Sequence, residues 1–472
     1  MQPLELLGVP SLDERPSSPP PPPSHPSAEA PWLAPWWKGL GRRYGHVFHS
    51  MCSYMGSFPP GLPRYLIEQL TEPGDVVLDP FSGRGTAPLE ACLAGRNGVG
   101  VDLNPLASML SSVKLDPPTL DETLARLAQL ERSYVPEPVG DRAPPEIRML
   151  FEEGTTLPQI LHMKASLDPS DRTDRFLLAS LAGILHGNHT RDVVSSRCLS
   201  VSMPNTFSMS PGYLARYIAE KSLVRPPFDA FEKLRLRMHF EFAEGVPALR
   251  GRALRGDARA LSSLIAPGSA KLIVTSPPYL NVVRYGKFNW IRLWLLGESV
   301  SDVDRSLRVE ATDRRLALSD RMRFKGYCGF LKTVLTECAT VLRDDGVCAV
   351  TIGDVRNKEH GERTLALEAW ESMKDDVPLV LGAAVVDDVN QLGKVSKIWG
   401  LAHRGEATKV DRVLLFHKPG RSLPRPRWSD PAALIEAIAA SPNGPLAKPG
   451  ARRPGVVKAR PAAAASRKKT GT

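Results

Sequence analysis

Residues 76–102 restrict the fold more than any other stretch of the chain. An apolar strand, Val76-Val77-Leu78-Asp79, runs into the turn Pro80-Phe81-Ser82-Gly83-Arg84-Gly85-Thr86. A helix over Ala87–Ala94 follows, and Gly98-Val99-Gly100-Val101-Asp102 returns as a second strand. Two strands separated by a helix lie parallel, because an antiparallel partner needs only a tight turn. Both are apolar along their length, so the sheet they begin is covered on both faces. The alternation resumes at Ala253-Leu254-Arg255-Gly256-Asp257, with a short helix and then the strand Lys271-Leu272-Ile273-Val274-Thr275. Leu331, Val334, Leu335, Cys338, Val341 and Leu342 recur at helical spacing, and that helix stops at Asp344-Asp345-Gly346, ahead of the strand Val347–Ile352. A helix at 364–374 and apolar runs at 379–386 and 411–417 complete the series. The expected class is α/β, a mostly parallel sheet between two helical layers.

The chain of 472 residues divides into five stretches. Residues 1–35 hold eleven of the 44 prolines, including the run Pro19–Pro23, and read as an extended disordered arm outside the fold. Residues 36–115 and 251–420 are the two halves of the α/β unit. Between them, residues 116–250 read as a mainly helical insertion, with helices expected at 121–133, 145–165, 173–187 and Tyr213–Lys221 and an irregular stretch over Ser200–Pro211. Residues 421–472 form a largely disordered Pro/Ala-rich tail with 11 Lys and Arg against 2 Asp and Glu. The net charge of +10 therefore belongs mostly to the tail, and the body is close to neutral. Such a tail offers either salt-sensitive attraction to phosphates or plain solubility.

Cys52, Cys92, Cys198, Cys328, Cys338 and Cys348 include no CxxC pair, so a reduced, cytoplasmic protein is expected. The longest apolar run, Val377–Val386, is half of the roughly 20 residues a membrane helix requires, so no membrane partner is expected. His186, His189 and Cys198 lack a fourth partner at zinc-site spacing, and no metal is expected.

The turn after Asp79 puts backbone N–H groups and a helix N-terminus at the carboxyl edge of the sheet, where small ligands bind in open α/β folds. Gly83 and Gly85 let a ligand approach the backbone, and Asp79 can accept bonds from a cationic amino group. Asp102 follows Asp79 by 23 positions, close to the roughly 20-residue offset at which a carboxylate meets ribose hydroxyls. The loop is neither GxGxxG nor a Walker sequence, which disfavours NAD and ATP.

Asp79-Pro80-Phe81-Ser82-Gly83-Arg84-Gly85-Thr86 resembles the DPFxGSGT loop of the S-adenosylmethionine-dependent DNA amino-methyltransferases, with Arg84 in place of Ser. The resemblance implies a doubly wound, seven-stranded Rossmann-like methyltransferase sheet and S-adenosylmethionine as cofactor. It makes residues 36–115 the cofactor-binding half and 251–420 the catalytic half. It implies that Asp79, Phe81, Gly83, Gly85, Thr86, Asp102 and Thr275 surround the cofactor, that Phe58 in Phe58-Pro59-Pro60-Gly61-Leu62-Pro63 covers the methionine moiety, and that Asp257 sits on the adenine side.

Thr275-Ser276-Pro277-Pro278-Tyr279 follows a strand end and faces the same edge. An exocyclic base amine is a poor nucleophile because its lone pair is delocalised, so an enzyme must hold the nitrogen and align it with the methyl group. Ser276 Oγ and the Pro277 carbonyl supply two acceptors, Pro277 and Pro278 stiffen the backbone, and Tyr279 offers a stacking face. A target base must leave the duplex to reach them. SPPY resembles the cytosine-N4 branch of the family more than the adenine-N6 branch. Cytosine-C5 chemistry needs a thiolate, usually after proline, and no cysteine here follows one.

The expected partner is double-stranded DNA with a flipped base, and a cognate restriction endonuclease would accompany it in a restriction-modification pair. Arg284, Tyr285 and Lys287, followed by Phe288, Asn289, Trp290, Arg292 and Trp294, interleave cationic and aromatic groups and are candidate nucleic-acid contacts. The insertion is the candidate recognition region, with Asn205, Ser208 and Arg216 able to reach base edges. Two alternatives stand beside this reading: methylation of adenine-N6 in DNA or of an amine in RNA, and a nucleic-acid-binding module of the same fold without catalysis.

Overall fold

The computed structural model describes residues 30–41, 44–186, 198–201, 208–278, 285–307, 320–357, 361–388 and 406–441. Eight strands form one sheet: β1 (Val76–Asp79), β2 (Asn97–Asp102), β3 (Arg252–Arg255), β4 (Ala270–Thr275), β5 (Leu342–Asn357), β6 (Gly361–Arg363), β7 (Val380–Asp388) and β8 (Glu406–His417). Seven of them lie in the order β3-β2-β1-β4-β5-β8-β7, with the short β6 paired to β5 off this path. β3 through β5 are parallel, and β8 inserts antiparallel between β5 and β7. The direction of winding reverses between β1 and β4, which opens a crevice at their carboxyl ends.

Alternation along each central strand divides the core. Leu78 and Ile273 face one layer with Leu331, Val334 and Leu335 of the helix Asp320–Val341, while Val77, Leu272 and Val274 face the other with Leu62, Leu66 and Ile67 of the helix Gly61–Leu70. The insertion has its own apolar centre, in which Phe176, Leu177, Leu181, Phe231 and Leu234 meet Phe48 and Met51 of the first half and Ile291 and Leu293 of the second. Its helices run Leu120–Ser133, Pro145–Arg148, Thr156–Ser166, Arg172–Leu185, Pro211–Glu220 and Ala230–Glu241. The helix expected over 145–165 is broken, because Glu152 accepts from the amides of Gly154, Thr155 and Thr156 and caps the second piece.

The boundaries at both ends need correction. The arm expected to lie outside the fold as far as residue 35 already packs at Trp32, and Trp37 donates through Nε1 to Asp387 Oδ2 of β7 at 2.9 Å. The stretch from 421, read as a largely disordered tail, contributes the helix Pro431–Ala440, whose Leu434 and Ile438 join the same layer. In both places a few large apolar groups offset the cost of ordering a proline-rich chain. No helix among the described residues is long and apolar enough to cross a membrane.

Candidate functional site

The carboxyl ends of β1, β2 and β4 are tied together by their own side chains. Asp79, at the tip of β1, is only 2% exposed; its Oδ1 accepts from the Phe81 amide at 3.0 Å and from Thr275 Oγ1, at the tip of β4, at 2.7 Å. Asp102, at the tip of β2, accepts from the Gly83 amide and from the Asn104 amide, each at 2.8 Å. Burial lifts both carboxyls, Asp79 to about 7 and Asp102 to about 6, with the bonds they accept pulling the other way.

Gly83 and Gly85 take φ of 51° and 78°, the left-handed region that suits glycine. A Cβ on Gly85 would stand 2.9 Å from Ser111 Cα, so the loop lies directly on the helix Pro105–Leu115. Arg84, the departure from the family loop, turns inward: Nη1 donates to the His49 carbonyl at 2.9 Å, and buried Lys114 Nζ donates to the Arg84 carbonyl at 2.6 Å. Burial brings Lys114 down to about 7, with the Arg84 charge adding to the effect.

A cleft open to solvent lies over these tips. Of the candidate site residues, Phe81, Gly83, Asp102, Asp257, Ser276 and Pro278 line it. Pro277 is buried next to them. Asp79, Thr275 and Thr86 are buried and lie outside the lining, as does Gly85. Asp79, expected to meet a cationic amino group, has its Oδ1 engaged by Thr275 and the Phe81 amide. Asp257 caps the turn Ala258–Ser263 through the Arg259 amide at 2.9 Å, and its carboxylate pairs with the Arg259 guanidinium at 2.6 Å.

Phe58 packs against the layer that holds Leu62 and Leu66 and does not line the cleft; from its segment Tyr54 and Gly56 do. Tyr285, a candidate nucleic-acid contact, is also in the cleft, its ring stacked on Tyr54 with centroids 5.8 Å apart and planes at 19°. Tyr54 Oη accepts from Asn104 Nδ2 at 3.0 Å. Lys287 is exposed on the adjoining short helix. Of the further candidates, Arg216 is exposed, Ser208 is buried with its amide bonded to the Phe288 carbonyl at 2.8 Å, and Trp290 is buried with Nε1 on the Met209 carbonyl at 2.7 Å. Tyr279, Arg284, His189 and Asn205 lie outside the described residues.

Sequence reasoning missed Tyr54, Asn104, Arg259 and Phe330, which also line the cleft. Asn104 alone carried a legible signal: Asn104-Pro105 directly after a strand reads as a helix cap, and Oδ1 accepts from Leu106.

A mostly parallel sheet in this order, with β8 antiparallel between β5 and β7 and a cleft at the winding reversal, belongs to the α/β, Rossmann-like class of fold. Within that class, residues 29–110 match the family described as DNA methylase. The type II methyltransferase M.MjaII of Methanocaldococcus jannaschii is 36% identical over 73 residues, 16% of this chain and 14% of that protein. M.XycI, a type II methyltransferase of Xanthomonas campestris pv. cyanopsidis, is 44% identical over 63 residues, 13% of this chain and 21% of its own length. The chain thus spans less than a quarter of either curated relative. Among solved structures, TrmN from Thermus thermophilus aligns with 79% of this chain and 52% of its own, at 14% identity and a TM-score of 0.26.

Proposed function

We propose that the chain transfers a methyl group from S-adenosylmethionine to an exocyclic amine of DNA, and that the amine is N4 of cytosine. The observation that carries the reading is the placement of Ser276 and Pro278, from the tip of β4, in the same cleft as Gly83 and Asp102. The Thr275–Asp79 bond of 2.7 Å fixes the two tips side by side.

The site suits the cofactor. Gly83 lies against the Tyr54 ring, Asp102 lines the cleft with an acceptor for ribose hydroxyls, and Asp257 lines the same cleft as the candidate adenine-side contact. When bound, the cofactor supplies an electrophilic methyl on a sulfonium. The chain's own part is positioning: Ser276 Oγ and the Pro277 carbonyl accept the two N–H bonds of the target amine and bias its lone pair toward the methyl, while Tyr279 stacks on the base. The base has to be extruded from the duplex, at a cost of a few kcal/mol that stacking partly returns. Residues 116–250 would then form the recognition region, and a cognate restriction endonuclease is the natural companion activity.

Expression in a methylation-free host, followed by sequencing that maps modified bases and mass spectrometry of the nucleosides, tests this reading. N4-methylcytosine at one sequence is expected. N6-methyladenine would keep the reaction and replace the base; unmodified DNA from a host holding folded, cofactor-binding protein would refute the activity.

A further inference from the structure

Arg292 stands in the stretch whose alternating cations and aromatics suggest a phosphate-facing surface, and the structure turns it the other way. It lies on the helix Trp290–Leu296 and is fully buried. Its guanidinium donates to four neutral acceptors. Nε reaches the Ala182 carbonyl at 3.2 Å and Nη2 the His186 carbonyl at 2.9 Å, both at the C-terminal end of the insertion helix Arg172–Leu185. Nη2 also reaches Ser53 Oγ at 2.7 Å, and Nη1 reaches Asn289 Oδ1 at 2.9 Å. An apolar side chain would fill the space without burying a charge. What a planar fork adds is the fixed relative placement of several acceptors at once.

Two of those acceptors lead to the cleft. Ser53 precedes Tyr54 in the chain, and Asn289 Nδ2 donates back to the Tyr285 carbonyl at 2.9 Å. Tyr54 and Tyr285 are the stacked pair that walls the cleft, and Tyr54 meets Asn104, whose amide is bonded to Asp102. We infer that Arg292 is a positioning residue: it holds the Tyr54–Tyr285 wall at the spacing the cofactor cleft requires and fastens that wall to the end of an insertion helix. The seating of the insertion and the geometry of the cleft are then one mechanical unit. The inference rests on the reading of this cleft as the S-adenosylmethionine site.

The test is calorimetric binding of S-adenosylmethionine to the full chain, with Tm measured in parallel. Arg292→Lys keeps a positive charge and loses the fork; Ser53→Ala and Asn289→Ala each remove one arm and leave the guanidinium in place, so they serve even where Arg292→Lys does not fold. Arg126→Ala is the control, because it breaks the 2.7 Å Arg126–Asp174 pair within the insertion and touches no part of the wall. Each of the three wall variants is expected to weaken binding by about tenfold, the effect of one hydrogen bond to a charged group. Arg126→Ala is expected to stay within about twofold of the parent although its Tm falls, since the cost of an ion pair need not reach a remote site. Parent-like affinity in all three wall variants overturns the inference, and so does a loss that follows Tm equally in the control. A parent protein that does not bind S-adenosylmethionine removes the cofactor reading and the inference with it, and that result appears before any substitution is made.

Discussion

The carboxyl edge of the sheet has a rim and a floor built from the same motifs. Asp102, Gly83, Tyr54 and Ser276 line the cleft, whereas Asp79, Thr275, Gly85 and Thr86 are buried outside its lining, Asp79 bonded to Thr275 and Gly85 packed against Ser111 of the helix Pro105–Leu115. Asp79 and Asp102 make the contrast sharpest. Both end neighbouring parallel strands and both are raised by burial, yet Asp79 binds the next strand tip and Asp102 binds the loop while facing open space. A motif residue therefore lines the cleft or is tied to a neighbouring strand tip, depending on which way a single strand tip points.

Substitutions separate the two layers. The largest effect is expected at the rim: Ser276→Ala and Tyr279→Ala each lower turnover by about 100-fold or more, the usual cost of removing a positioning contact, with cofactor binding retained. Single-turnover assays beside calorimetry check this, and full activity in both variants would sink the catalytic assignment. Asp102→Ala should weaken cofactor binding by about 10- to 100-fold with a smaller loss of turnover at saturation, since it removes a charged acceptor. At the floor, Gly85→Ala forces a side chain into left-handed backbone against Ser111 and costs at least ~1–2 kcal/mol of stability, measured by denaturant unfolding. Asp79→Asn should be the mildest, within about 1 kcal/mol and with near-parental cofactor affinity, because both observed bonds go to one oxygen that asparagine keeps. A large loss of affinity in Asp79→Asn would erase the distinction between rim and floor.

The pH dependence of Asp102 sharpens it further. Its carboxyl is raised to about 6, so the folded protein favours the protonated form. The stability that form contributes is fully present below the unfolded value of 3.8 and is lost as pH rises through about 6. Thermal scans should show Asp102→Asn gaining on the parent as pH rises from 4 to 7. Cofactor affinity should move the opposite way, falling by up to about tenfold per pH unit below about 6 in the parent as the charged acceptor is lost, and staying flat in Asp102→Asn. Parallel profiles in parent and variant would remove Asp102 from the cofactor's contacts.

Much of the site was legible because its signals are local. A strand that ends in Asp and enters a turn with two glycines leaves few conformations for the loop, and observed φ values of 51° and 78° at Gly83 and Gly85 follow from the residue type. The strand-end rule also put Ser276 beside that loop without knowledge of any contact. Phe58 and Tyr54 show the limit. Four positions apart in one irregular segment, they carry the same aromatic signal, and only packing against Leu62 and Leu66 sends Phe58 to the core while Tyr54 takes the cleft. Arg292 shows it for charge, since a basic residue interleaved with aromatics reads as a phosphate-facing cation, and its guanidinium instead donates to buried carbonyls.

The alternation of strands with helices and the backbone of the turn at Gly83 and Gly85 were set by residue type and period, because they depend on neighbours a few positions away. Where the winding reverses, which aromatic walls the cleft, which strand-end acid lines it, and where the proline-rich ends come to rest were decided only when segments far apart in sequence met. Those contacts compete for the same buried volume, and the winner depends on partners the local pattern does not contain.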